Sequence, residues 1–167
     1  LALRAAEALV AFSGRPEREG ELRDAVHLLR PGDLPGPAGE TYIAWHRAVE
    51  RKISIKALGR ALPALAPGQI AACMDAGKGA PVARVATVLE AVLREVPCGE
   101  GAALILADAV FAKALGWEHL LPLLAAGLKR ADLRKVAKVA GAWMMRTRSA
   151  YAPAIRAAAD VGVGMPL

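Results

Sequence analysis

The chain has 167 residues, 55% of them hydrophobic, 4% aromatic and 23% charged, with a formal net charge of +6 and a mean hydropathy of +0.32. That length suffices for one domain with a buried core, and no apolar run reaches the roughly 20 residues that cross a bilayer. Much of the apolar fraction is alanine, which costs no side-chain entropy in a helix; with few aromatics and no β-branched runs of strand length, an all-α fold is expected.

In chain order, a first helix is predicted from about Leu1 to Phe12, ending at the breaker cluster Ser13-Gly14-Arg15-Pro16. A second covers roughly Glu17 to Leu29, with Leu22, Val26 and Leu29 at helical spacing, and closes at Pro31-Gly32. The connector Arg30-Pro31-Gly32-Asp33-Leu34-Pro35-Gly36-Pro37-Ala38-Gly39 alternates residues that fix φ with residues that free it, which forces a defined bend. A third helix should run from near Pro37 to about Ile53, its apolar stripe formed by Tyr42, Trp45, His46, Val49 and Ile53. Ser54 is placed to cap a short fourth helix ending before Pro63, and Pro67 to open a fifth that ends by Gly77.

Pro81 opens a sixth helix through Val96, with Val85, Val88, Leu89, Val92 and Val96 inward. The seventh, about Gly101 to Leu115, is apolar on nearly every side, the pattern of a helix at the centre of a bundle. A short eighth follows around Pro122 to Leu128. The ninth begins near Ala131, with Leu133, Val136, Ala140, Trp143, Met144 and Tyr151 on one face and a kink or end at Pro153. The expected architecture is therefore a compact array of about eight to nine helices around a central apolar one. Residues 1–160 form a single domain and 161–167 a frayed tail.

Cys73 and Cys98 make no disulfide framework, and the N-terminus lacks the pattern of a secretory signal. Two reduced thiols in a cytoplasmic protein are expected, with one disulfide between them the minor alternative. No phosphate-binding loop, dinucleotide fingerprint, nucleophile elbow or His-Glu-x-x-His motif is present. His27, His46, His119 and the two cysteines do not fall at ligand spacing. Neither a metal nor a cofactor is expected.

Asp108 is the sharpest candidate for chemistry, because a carboxylate inside an apolar helix must be paired, hydrogen-bonded or protonated. The structural reading is an ion pair with an arginine of the second or third helix, Arg23 or Arg47. The catalytic alternative makes Asp108 an acid–base group with a raised pKa, in a small-molecule pocket beside the connector where Asp33, His46 or Arg47 orients the substrate. The structural reading is favoured, since ion-pair networks mimic active sites.

Positive charge is concentrated late in the chain. Lys129, Arg130, Arg134, Lys135, Lys138, Arg146 and Arg148 face one acid, Asp132, while the remainder of the chain is balanced. A stripe of Arg130, Arg134, Lys138 and Arg148, flanked by Lys135 and Arg146, would neutralise several phosphates and bind them in a salt-dependent way. A solvated amphipathic face is the plainer reading. A helix-turn-helix over Leu120–Leu128 and Asp132–Trp143 fits poorly because of Pro122.

Three stretches resemble a bacterial family, domain-of-unknown-function family 1403. They are Leu22-Arg23-Asp24-Ala25 with Arg30-Pro31-Gly32-Asp33 and Pro35-Gly36-Pro37-Ala38-Gly39; Ala44-Trp45-His46-Arg47; and Ala107-Asp108-Ala109-Val110 with Leu115-Gly116-Trp117 and Leu121-Pro122-Leu123-Leu124. The resemblance spans most of the chain and implies a helical protein without an assigned activity. It also implies a further C-terminal region like a small winged-helix module, so that a chain ending at Leu167 would expose surface and self-associate. Together these readings favour a non-catalytic interaction module whose partner is a protein or a nucleic acid.

Overall fold

The computed structural model describes residues 1–76, 79–96 and 98–127. Its helices are α1 (Ala2–Phe12), α2 (Glu19–His27), α3 (Gly36–Glu50), α4 (Ile55–Ala61), α5 (Pro67–Asp75), α6 (Pro81–Glu95), α7 (Glu100–Ala114) and α8 (Leu123–Gly127). The fold is all-α. The expected ninth helix, its kink at Pro153 and the tail 161–167 lie outside the described residues.

Local chemistry accounts for most helix starts. Ser54 Oγ accepts the Ala57 amide at 3.1 Å and caps α4, satisfying one of the donors that every helix N-terminus leaves open. Pro67 and Pro81 occupy the first positions of α5 and α6, where a missing N–H costs nothing. Glu21 accepts the Arg18 amide at 2.8 Å and Gln69 accepts the Ala66 amide at 2.9 Å, so α2 and α5 each gain a reaching-back contact from their third residue.

The connector makes the bend expected of it, and two glycines show why it needs them. Gly36 starts α3 with φ +65, a left-handed conformation costly for residues with a Cβ. Gly39 lies where an added Cβ would stand 2.7 Å from Cβ of Pro35, the residue that precedes α3, and in ordinary contact, 3.5 Å, with Val26 Cγ2 of α2.

Helix α3 stops at Glu50, three residues before the end that its pattern suggests. Arg51 is extended at φ −122, ψ 158, and the Ile53 amide donates to the Glu118 carbonyl at 2.8 Å instead of continuing the helix. A single antiparallel bridge joins Lys52 to His119, and Lys52 Nζ lies 2.8 Å from Glu118 Oε2. The α3–α4 corner is thereby tied to the segment that follows α7.

One apolar cluster runs through the described helices and includes Leu22, Trp45, Leu58, Ile70, Val88, Leu104 and Leu124, none more than 4% exposed. Alanines 5, 6, 103, 107 and 109 are also at 0–1%, so backbones approach through small side chains. Every residue from Ala103 to Ala112 is buried. Helix α7 pairs most extensively with α6 and also meets α3, α5 and α8, while α1 packs on α2, α3 and α8. Short as it is, α8 bridges α1 and α7. Cys73 and Cys98 are free thiols, and no helix among the described residues is long and apolar enough to cross a membrane.

Candidate functional site

Asp108 sits in the middle of α7, 1% exposed. Its Oδ1 accepts the amide of Leu124 at 3.1 Å, so a side chain of α7 caps the first turn of α8 across sixteen residues of sequence. Burial pushes the carboxyl well above the usual carboxylate range; the amides of Leu124 and Leu123 pull the other way and are outweighed. Among the described residues Oδ2 has no hydrogen-bond partner. A protonated carboxyl with one oxygen on a helix amide fits this environment, because an ionised one would stand in an apolar interior with no counter-charge among the described residues.

The expected ion pair with Arg23 or Arg47 is not formed. Arg23 lies 3.0 Å from Asp24, both side chains largely exposed, and Arg47 Nη1 donates to the Arg60 carbonyl at 3.3 Å. Both guanidinium groups keep their hydration this way. Drawing one to Asp108 would desolvate a second charge for an attraction that rarely repays it.

The remaining members of the acid–base reading sit on the surface. Asp33 is exposed and closes its own turn, accepting the Arg30 amide at 3.0 Å while its amide donates to the Arg30 carbonyl at 3.0 Å. His46 is exposed as well, its ring edge-on to Tyr42 at a centroid distance of 5.9 Å. This corrects the place of His46 in an apolar stripe. The inward arc of α3 is Ala38, Gly39, Trp45 and Ala48, and His46 falls one residue outside it. Asp108 is thus enclosed while Asp33, His46 and Arg47 face water.

A groove of about 380 Å³ opens at the α3–α4 corner, lined by Arg47, Glu50, Arg51, Ala57 and Arg60. Charge read over the whole chain conceals it. From Arg47 to Arg60 there are five basic residues and one acid, Glu50, an excess that cancels only when charge is summed over the whole chain outside Lys129–Arg148. A second groove, of about 390 Å³, lies between α5 and α6 and is lined mainly by apolar residues with Gln69, Cys73 and Glu95. Burial, and then the charge of Glu95, push the Cys73 thiol above its usual range.

No group of three His, Cys, Asp or Glu side chains able to hold a metal occurs among the described residues. Arg130, Arg134, Lys135, Lys138, Arg146 and Arg148 all lie outside those residues, as does the second element of the helix-turn-helix reading.

With its helical order and the corner at the connector in view, the chain's family can be stated. It belongs to the family described as protein of unknown function (DUF1403), whose model matches residues 1–165. No curated protein and no solved structure matches the chain.

Proposed function

We propose that this protein is a non-catalytic helical module, residues 1–160 forming one domain, that binds a macromolecule through the cationic segment between Lys129 and Arg148. Nucleic acid, or a protein associated with it, is the leading partner class. The observation that carries this reading is the seven-to-one excess of basic over acidic residues in that segment. Such an excess attracts a polyanion by releasing the counterions condensed on it. The family match runs through the same segment.

The burial of Asp108 adds indirect support. A group 1% exposed and engaged with α8 is badly placed to exchange protons with a dissolved substrate, and its expected companions are exposed elsewhere. The test is a mobility shift of a labelled oligonucleotide. Arg134→Glu with Lys138→Glu should weaken binding by about tenfold or more at moderate salt, because each lost phosphate contact removes counterion release. Undiminished binding by that variant would overturn the proposal.

A further inference from the structure

We infer that the groove at the α3–α4 corner is a second anion site, one that receives a phosphate group on Arg47, Arg51 and Arg60. The three arginines and Glu50 line one groove over Ala57, which is 7% exposed. Seven of the thirteen described lysines and arginines stand within 4.0 Å of a carboxylate. Four of the six that do not are Arg47, Arg51, Lys56 and Arg60. Glu50, although it lines the same groove, is in none of these pairs.

Helix geometry makes the clustering more telling. Arg47 is in the last turn of α3 and Arg51 is the residue that ends it, while Lys56 and Arg60 are four apart on α4. Like charges at that spacing repel. The pull of a helix C-terminus on cations explains one arginine in each last turn. It does not explain why three arginines around the α3–α4 corner share one groove with a single carboxylate, Glu50, and no ion pair.

A phosphate group fits that space better than a carboxylate. Its oxygens accept from several directions at once, and the planar fork of each guanidinium donates to them in pairs. The groove's volume lies at the small end for ligand sites, enough for a phosphate and a short remainder. Two sources present this chemistry: a free phosphorylated molecule and the backbone of a polynucleotide. The site is remote in sequence from the cationic segment of the proposed function and stands or falls independently of it.

The experiment titrates the full chain with inorganic pyrophosphate at constant ionic strength, following the side-chain Nε–H signals of arginine by NMR. Saturable shifts are expected. They should weaken by about tenfold (roughly the loss of one good contact) in Arg51→Gln with Arg60→Gln, whose melting temperature should be unchanged because both side chains are exposed. Glu50→Gln should bind several-fold more tightly, a gain that no folding defect can imitate. Oligothymidylate is then added to the Arg134→Glu, Lys138→Glu chain. Displacement of pyrophosphate assigns the site to a polynucleotide backbone, and retention assigns it to a free phosphorylated ligand. Absence of saturable shifts, or equal affinity in the double glutamine variant, would overturn the inference.

Discussion

At the scale of single residues, Asp108 departs most from what its surroundings should tolerate, and its consequences follow from one proton. The folded chain holds that proton more tightly than the unfolded chain, where the carboxyl titrates near 3.9. Its stabilising contribution is therefore complete below about pH 3.9 and declines as pH rises toward the raised folded value, beyond which it is constant. Asp108→Asn keeps an acceptor for the Leu124 amide and cannot ionise. It should remain folded, lie within about 1 kcal/mol of the parent at low pH, and become the more stable of the two as pH rises. Asp108→Ala leaves that amide unpaired and should cost about 1–3 kcal/mol. Urea denaturation across pH checks all three statements, and an Asn variant as damaged as the Ala variant would mean that Asp108 works through its charge. The two cysteines give a simpler contrast. Cys98 is exposed, whereas Cys73 is half-buried with its thiol pushed up, so an alkylating reagent should label Cys98 first.

At the scale of elements, the devices that begin helices act over three or four residues and are testable one at a time. Ser54→Ala removes the cap of α4 and should cost about 1 kcal/mol. Gly39→Ala forces a methyl group against Pro35 and should cost about 1–3 kcal/mol, despite the better helix propensity of alanine. Urea midpoints measure both, and a stabilised Gly39→Ala would show that the turn at Pro35 can shift away from the new methyl group without loss. This locality also explains what was legible in the sequence. Ser54, Pro67 and Pro81 announce their helices because the capping residue sits beside the turn it satisfies. The buried run Ala103–Ala112 announces the central helix because it has no polar face. The partner of Asp108 was not legible, since the Leu124 amide reaches it only once α8 has docked between α1 and α7. The end of α3 was hidden for the same reason, being set by Glu118 from across the fold. His46 was misplaced because an apolar stripe on a helix of small residues has blurred edges, and a rotation of one residue separates core from solvent. The arginine groove was written in the sequence, yet summing charge over long stretches cancelled it.

At the scale of the whole molecule, the described interior is closed through small side chains, and charge is unevenly distributed along the chain. Seven of the thirteen described cations stand against carboxylates, and four of the other six lie around the α3–α4 corner. The family match, which spans residues 1–165, carries a second cationic stretch between Lys129 and Arg148. A surface of this kind attracts polyanions over distances that salt shortens. The most direct measurement is the affinity for a single-stranded oligonucleotide as a function of salt concentration, in the parent chain and in Arg134→Glu with Lys138→Glu. The account predicts a steep negative slope of log affinity against log salt for the parent. That slope should become shallower by about 1.4 in the variant, since each phosphate contact on a single strand contributes about 0.7. A flat salt dependence, or the same slope in both chains, would contradict it.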